Sequence, residues 1–274
     1  MYPYVQFFGR SIGTYGLISV IAALLCCFLF INALKKNGVM MEMGILFFLF
    51  IIGGVVVGGH LLYAITMYRY IPWLFKKAEL SIWFARAQYI FGGSVFYGGL
   101  LGGLGCGYLG VKILRQDAKL YADLMAPIVP LFHAFARVGC FFAGCCYGIP
   151  CEWGFMAHGN TLVPPINGVT RFPVQLLEAV LNLILAGVLY LLLRRSRKSP
   201  MLRGNLLKIY FVLYGIIRFF DEFLRGDVNR GIWGMFSTSQ WISIAAVCVS
   251  GTLLIISIIR ERKQKFILNC DKSC

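Results

Sequence analysis

Charged side chains are scarce in this chain of 274 residues, and acidic ones are the scarcest. Asp, Glu, Lys and Arg together make up 14% of the residues, against roughly 25% in an ordinary soluble domain. So few charges cannot cover the surface of a water-soluble protein of this size. The 11 acidic residues are outnumbered by 26 basic ones, which leaves a formal net charge of +15. A nucleic-acid-binding domain or a disordered basic tail carries such a charge on a mostly polar chain, but 59% of this chain is hydrophobic. Both classes are therefore excluded.

Long hydrophobic runs are what the chain does have. A transmembrane helix needs ~20 mostly apolar residues. Four charge-free intervals exceed that length, and three further apolar segments contain isolated charges. The seven predicted spans lie within residues 10–35, 42–69, 86–112, 124–149, 174–193, 206–225 and 230–260. The expected fold class is therefore all-α, a polytopic membrane protein with one seven-span domain over residues 1–274.

The positive charges predict how this domain is oriented. Seven spans place the two termini on opposite faces, and a cytoplasmic C-terminus puts about twice as many Lys and Arg residues inside as outside. The N-terminus is therefore expected outside. The opening residues lack the basic region and the cleavage site of a secretory signal, so the first span is expected to direct insertion. Residues 150–172, rich in Pro and Gly, are expected to form an ordered extracytoplasmic loop.

Four ionisable residues lie in the predicted sixth span. Arg218, Asp221, Glu222 and Arg225 are three or four residues apart, which places them on one helix face and its flank. A charge at bilayer depth costs at least about 2.5–3.5 kcal/mol, so each of them needs a partner. Two explanations stay open. The residues form a salt-bridge ladder within the helix, or they form an anion site that basic groups from other spans complete.

Arg137 is the matching residue of the predicted fourth span. No carboxylate lies at helical spacing from it, so its counter-charge must come from another span or from a ligand. Arginine also suits bidentate contact with phosphate. His133 lies four residues earlier on the same face, where a site role and a packing role are both open. Gly139 permits a close approach of backbone or ligand.

The predicted third span is rich in glycine. Small residues favour tight packing between membrane helices, which is the expected role of most of these glycines. In the stretch SVFYGGLLGG a second interpretation is open, in which Gly98 and Gly99 make room for a lipid headgroup. Tyr97 is the ionisable group that this stretch would bring to such a site.

Four of the ten cysteines, Cys140, Cys145, Cys146 and Cys151, cluster near the end of the predicted fourth span. Their spacing fits no common zinc template, so no metal ligand is assigned. A packing or structural role is the leading explanation. A disulfide between Cys151 and one of the adjacent pair, and a redox or metal centre, are the alternatives.

Five segments, in order along nearly the whole chain, resemble motifs of the prolipoprotein diacylglyceryl transferase family. IGTYGL, which contains Tyr15, resembles its N-terminal tyrosine-glycine segment, and YGGL, which begins at Tyr97, resembles its H-G-G-L motif. Asp123–Pro127 with Ala136–Gly148 resembles a signature whose usual core reads G-R-x-G-N-F-x-N-G-x-x-x-G. RFPVQLLE, at Arg171–Glu178, is similar to R-x-P-x-Q-L-Y-E, and YGIIRFFDEFLR is similar to Y-G-x-x-R-F-x-x-E-F-x-R.

The resemblance implies an enzyme that uses no metal and no soluble cofactor at the outer leaflet of a bacterial cytoplasmic membrane. Its reaction moves the diacylglyceryl group of phosphatidylglycerol to the lipobox cysteine thiol of a prolipoprotein signal peptide and releases glycerol-1-phosphate. Such a site must hold a phosphate, stabilise its departing charge and accept a thiol proton. The basic inner face would separately contact anionic membrane lipids.

Motif matching also implies roles for particular residues. Arg137 and Arg218 would hold the phosphate, Glu222 would orient them, and Tyr97 would stand at the position of the family's histidine. The remaining matched residues are implied to bind substrate, and they are Tyr15, Gly98, Gly99, His133, Gly139, Gln175, Glu178 and Arg225.

The chain departs from the family pattern at a few of these positions. Tyr97 replaces the histidine of H-G-G-L, and a phenol, with a reference pKa of about 10, is a poor base. Cys140 and Ala143 replace the two asparagines of the signature. The replacement of asparagine by cysteine suggests a divergent branch, whereas the arginine and glutamate set is intact.

Two other classes of function stay open. A membrane thiol-redox protein would use the four clustered cysteines and would tolerate Arg137→Ala. A transporter of lipids or solutes on the same fold would need a path between the two membrane faces.

Overall fold

The structure is a computed structural model, and it describes residues 2–7, 9–77, 79–227 and 231–270. Most of these residues are helical, as predicted. The α-helices found in the described residues are α1 (Thr14–Lys35), α2 (Met41–Thr66), α3 (Ile71–Leu74), α4 (Leu80–Phe91), α5 (Phe96–Ile113), α6 (Ala118–Ala143), α7 (Val174–Ser196), α8 (Leu206–Asp221) and α9 (Thr238–Cys270). Short 3₁₀ turns occupy Tyr68–Tyr70, Pro164–Ile166 and Glu222–Leu224.

Six short strands in the described part of the chain correct the expectation of a purely α-helical fold. They pair as three antiparallel two-stranded sheets, β1 (Tyr4–Phe7) with β2 (Arg10–Gly13), β3 (Pro150–Met156) with β4 (Thr170–Arg171), and β5 (Ile232–Trp233) with β6 (Phe236–Ser237). Strands this short carry too little alternation of apolar and polar residues to be read from the sequence. All six precede the first helix or connect two helices.

Five helices of the described chain are long and apolar enough to cross a membrane. They are α1, α2, α6, α7 and the Thr238–Lys263 part of α9, and they overlap five of the seven predicted spans. The fourth span was predicted too far along the chain, because α6 begins at Ala118 and ends at Ala143. The other two predicted spans contain α5, with 18 residues, and α8, with 16 residues. Both are shorter than the ~20 residues that cross the hydrocarbon core of a bilayer without tilt.

The predicted third span is not one helix, because its charge-free interval is divided between α4 and α5. The break follows α4 at two consecutive glycines, Gly92 and Gly93, and glycine is a poor helix former. Nδ1 of His60 in α2 lies 2.7 Å from the carbonyl oxygen of Phe91, the last residue of α4. A charge-free run therefore marks apolar sequence but not an unbroken helix.

Contacts divide the chain into two compact units. One comprises Met1–Phe30 and Ala122–Cys274, and the other comprises Ile31–Tyr121. The first unit contains all of α7, α8 and α9 with most of α1 and α6. The second contains α2 to α5.

In the second unit, α2 and α5 pack through facing glycines. A Cβ atom on Gly98 would overlap with the carbonyl oxygen of Gly58, and one on Gly102 would overlap with that of Gly54. Close backbone contact of this kind requires residues without a side chain. The predicted packing role of the third-span glycines is therefore confirmed for Gly98 and Gly102.

In the first unit, Asp123 of α6 fixes the beginning of α8. Its Oδ1 accepts a hydrogen bond from the backbone N–H of Leu206 at 3.0 Å, and its Oδ2 accepts one from Gly204 at 2.5 Å. A carboxylate at this position satisfies backbone donors that a helix leaves free and complements the helix dipole. Asp123 thereby ties together the two helices that carry Arg137 and Arg218.

A reciprocal cap starts α9. The hydroxyl oxygen of Ser237 accepts a hydrogen bond from the N–H of Gln240 at 3.2 Å, and Oε1 of Gln240 accepts one from the N–H of Ser237 at 3.0 Å. This is the capping box that a Ser-x-x-Gln sequence forms, and it explains why the helix begins at Thr238.

Replacing Gly102 by alanine should separate α2 from α5. The added methyl group has no space beside Gly54, so we expect a loss of about 1–3 kcal/mol, as for other overpacked positions. The matched control is Gly105→Ala, in the same helix, where a Cβ meets nothing within 4 Å. Thermal unfolding of the purified protein in detergent should show a lower Tm for Gly102→Ala and an unchanged or higher one for Gly105→Ala. Equal Tm values for the two variants would contradict this packing.

Candidate active site

Arg137 and Glu178 form a buried ion pair between α6 and α7. Nε of Arg137 lies 2.9 Å from Oε2 of Glu178, and the two side chains are 12% and 2% exposed. The sequence predicts that the counter-charge of Arg137 comes from another span or from a ligand, and Glu178 on α7 is that counter-charge. Pairing offsets the free-energy cost that each charge would have if it were buried alone in apolar surroundings.

Two more side chains contact the Glu178 carboxylate. The hydroxyl of Tyr214, on α8, donates a hydrogen bond to Oε1 at 3.1 Å, and Nε2 of His133 lies 3.6 Å from the same oxygen. Nε of Arg137 donates to Nε2 of His133 at 3.2 Å. Glu178 is therefore the residue at which α6, α7 and α8 meet, and His133 belongs to this cluster.

Arg218 pairs with carboxylates of its own segment. Its Nη2 lies 2.5 Å from Oε2 of Glu222, and its Nη1 lies 3.5 Å from Oδ2 of Asp221. Part of the predicted salt-bridge ladder therefore exists. Arg225 is not in the ladder, because it pairs with Asp227 through Nε at 2.9 Å and Nη2 at 2.5 Å.

The predicted helix over residues 206–225 is too long at its C-terminal end. α8 ends at Asp221, and Glu222 begins a 3₁₀ turn. Arg225 follows that turn in extended conformation. The change of backbone geometry explains why Arg225 turns to Asp227 instead of continuing the helical face.

The groups around Arg137 and Arg218 form one buried cluster. Arg218 interacts electrostatically with Glu178 and with His133, and so does the carboxyl group of Asp221 with Glu178. All five side chains are on α6, α7 or α8 of the first unit. The structure thus brings together two arginines that are far apart in the sequence.

Gln175 and Gly139 position this cluster. Nε2 of Gln175 donates to the carbonyl oxygen of Cys145 at 2.9 Å, which holds the turn that follows α6. A Cβ on Gly139 would lie 3.1 Å from Cδ2 of Tyr15, so this glycine lets α1 approach α6 closely. Tyr15 itself is 46% exposed and borders the cluster.

The remaining predicted site residues lie in the second unit, in the first turn of α5. Gly98 is buried against Gly58, and a Cβ on Gly99 would lie 3.3 Å from the carbonyl oxygen of Val55. Tyr97 precedes them and is half-buried. Their role in binding substrate stays a prediction.

The structure brings together three of the four clustered cysteines. Sγ atoms of Cys140, Cys145 and Cys146 all lie within 4.8 Å of one another. Cys151 is apart from them, its thiol donates to the carbonyl oxygen of Trp153, and none of these four cysteines is in a disulfide.

Tyr214 is the site residue that sequence reasoning did not single out. The signal was present, because Tyr214 is the first residue of the YGIIRFFDEFLR segment and lies four residues before Arg218. Residues at this spacing share a helix face. An aromatic residue in an apolar span looks like a packing residue until its partner on another helix is known.

Comparison with known proteins bears directly on this cluster. A sequence model of the prolipoprotein diacylglyceryl transferase family matches residues 3–256, a range that contains every residue of the cluster. The chain belongs to this family. A phosphatidylglycerol–prolipoprotein diacylglyceryl transferase of Clostridium tetani is 32% identical over 266 residues, covering 94% of this chain and 98% of the relative. A protein of the same name, numbered 2, from Clostridium perfringens is 33% identical over 267 residues, covering 94% and 96%.

The two positions at which this sequence replaces the asparagines of the signature lie near the end of α6. Cys140 stands at the first asparagine position and contributes to the thiol cluster. Ala143 stands at the second, and its carbonyl oxygen accepts a hydrogen bond from Nδ2 of Asn160 at 3.0 Å. The side chain of Asn160 thus bonds to the last residue of α6.

Replacing Glu178 by glutamine should destabilise the first unit more than removing any single hydrogen bond to the Glu178 carboxylate. Glu178→Gln leaves Arg137 buried without a counter-charge, which we expect to cost about 3 kcal/mol. The control Tyr214→Phe removes only one hydrogen bond to the same carboxylate, at about 1 kcal/mol. Thermal unfolding in detergent measures both. A Glu178→Gln variant as stable as the unmodified protein would show that the ion pair does not hold these helices.

Proposed function

We propose that this chain transfers the diacylglyceryl group of phosphatidylglycerol to the cysteine thiol of a prolipoprotein. The named relatives carry this activity in their names, and the buried arginine cluster has the chemistry that the reaction needs. In the reaction the thiol sulfur bonds to the glyceryl carbon that bears the phosphate ester. The carbon–oxygen bond breaks, glycerol-1-phosphate leaves with the electron pair, and the thiol proton goes to a base.

The observation that carries the proposal is a pair of arginines, one on α6 and one on α8, that both interact with Glu178. Within the described residues Arg137 donates its hydrogen bond from Nε, and neither of its Nη groups takes part in a hydrogen bond. The side chain is still 12% exposed. A planar guanidinium held by Nε presents its remaining donors as a fork that matches two phosphate oxygens.

Arg218 would supply the second positive charge at the phosphate. It is held by Asp221 and Glu222, so its position is set before a ligand arrives. Donors positioned in advance stabilise developing charge most effectively in surroundings that exclude water. In this proposal Glu178 and Glu222 orient the arginines, and Gln175 supports the adjoining turn.

We also propose the membrane arrangement that the charges predict. Seven spans, formed by the five long apolar helices together with α5 and α8, would make one domain in the bacterial cytoplasmic membrane. The N-terminus and residues 150–172 would then lie outside and the C-terminus in the cytoplasm. The distribution of Lys and Arg along the chain supports this orientation.

The test is transfer by the purified full chain in vesicles that contain phosphatidylglycerol, with a lipobox peptide as acceptor. Loss of the peptide's free thiol and a mass gain of one diacylglyceryl group report the reaction. We expect Arg137→Gln and Arg218→Gln each to lower the rate by about 10²–10³, because each removes a charged donor to the leaving phosphate. The matched control Arg194→Gln, at an exposed residue in the last turn of α7, should keep full activity.

Two outcomes would contradict the proposal. The folded protein would transfer nothing to the peptide, or Arg137→Gln would retain its activity. The second outcome is the one that a membrane thiol-redox protein predicts, because such a protein has no phosphate to hold.

A further inference from the structure

Three thiols meet where α6 ends. Cys140 is in the last turn of α6 and is buried, whereas Cys145 and Cys146 follow the helix and are half-buried. Their Sγ atoms lie within 4.8 Å of one another. The ion pairs of the arginine cluster do not involve these thiols.

Unusual backbone geometry brings these thiols together. Gly144 has a φ of 83° and Cys146 a φ of 56°, so the chain reverses directly after the helix. A left-handed conformation is unfavourable for cysteine and persists only where the surroundings impose it. Here Asn160 donates to the carbonyl oxygen of Ala143 at 3.0 Å, and Gln175 donates to that of Cys145 at 2.9 Å. The turn is thus fixed from two other segments.

The separation of the sulfur atoms fits one metal ion held by all three. A Zn²⁺–sulfur bond is about 2.3 Å long, so two sulfurs on one tetrahedral ion lie about 3.8 Å apart. The thiols need to shift by an ångström or less to reach that geometry. A disulfide needs a sulfur–sulfur distance of about 2.05 Å and uses only two of the three thiols, and these three cysteines are free.

The partial exposure of two of the thiols suits the same ion. Three thiolates and one Zn²⁺ carry a net charge of −1, which is costly to bury away from water. Cys145 and Cys146 are only half-buried, so water reaches part of the site and reduces that cost.

We propose that Cys140, Cys145 and Cys146 bind one thiophilic metal ion, Zn²⁺, whose fourth coordination position is open to a non-protein ligand. Three thiolates are a soft ligand set, which selects Zn²⁺ over Mg²⁺ or Ca²⁺. The ion fastens the last turn of α6 to the turn that follows it. This site does not depend on the proposed transferase activity, since it rests on the thiol geometry alone.

The experiment is a metal titration of the full chain, purified in detergent under anaerobic, reducing conditions and stripped with a chelator. Zn²⁺ is added in competition with a chromophoric chelator, and Co²⁺ is used in parallel because its thiolate charge-transfer absorption reports sulfur ligands directly. We expect one ion per chain and a strong Co²⁺–thiolate band. Loss of a residue that hydrogen-bonds to a metal ligand lowers the affinity for the metal roughly 10- to 100-fold. Loss of a ligand itself, in Cys145→Ser or Cys146→Ser, should therefore lower the Zn²⁺ affinity at least about 100-fold.

Cys248→Ser, at an exposed cysteine of α9, is the matched control and should bind Zn²⁺ as the unmodified chain does. Thermal unfolding of the metal-free variants separates loss of the site from loss of the fold. The proposal is overturned if the folded chain takes up no Zn²⁺ in competition with the chelator. It is equally overturned if Cys146→Ser binds as tightly as Cys248→Ser, or if two of the three thiols of the freshly purified protein are already joined in a disulfide.

Discussion

The carboxylate of Glu178 is the contact on which the first unit depends. It lies on α7, pairs with Arg137 of α6 and accepts a hydrogen bond from Tyr214 of α8. A buried arginine without this partner would carry a penalty of several kcal/mol, a large part of the stability of any domain. Because apolar helices in a bilayer gain little from the hydrophobic effect, one such polar contact can decide which helices meet and in which register.

The same constraint bears on the proposed phosphate site. Arg137 is held from one side through Nε, and Arg218 is held by Asp221 and Glu222. The carboxylates balance the arginines without covering every guanidinium donor. A phosphate could therefore enter a site that is already assembled, and its binding would not require the helices to rearrange. In the proposed function, the cluster would satisfy a folding requirement and form a phosphate site with the same side chains.

Much of this could be predicted from the sequence, because the relevant signals are local. An apolar run marks a helix by itself, and α1, α2, α6, α7 and most of α9 overlap the predicted spans. An arginine stands out within an apolar run, which is how the sequence singled out Arg137 and Arg218. Their partners are also visible as residues, but the pairing of Arg137 with Glu178 joins positions far apart in the chain. Only the fold shows that contact.

The features that were missed share a dependence on tertiary contacts. The carboxylate that begins α8 belongs to Asp123 of α6, so no local capping motif announces it. The break between α4 and α5 falls within a charge-free run. Cys151 is five residues from Cys146, yet the turn and β3 carry it away from the three thiols that converge. Spacing in the sequence predicts which residues lie close together along a helix. It does not predict which residues lie close together where the chain reverses direction.

Direct binding of phosphatidylglycerol tests the central claim, which is that the buried arginines hold a lipid phosphate. Native mass spectrometry of the detergent-solubilised chain can measure bound lipid, with diacylglycerol as a matched lipid that lacks the phosphate. We expect phosphatidylglycerol to bind at least about 10-fold more tightly than diacylglycerol, because one charge-assisted hydrogen bond of ~1.5 kcal/mol already accounts for a factor of that size. The Arg218→Gln variant should lose most of this preference. Equal binding of the two lipids, or an unchanged preference in Arg218→Gln, would contradict a phosphate site at these arginines.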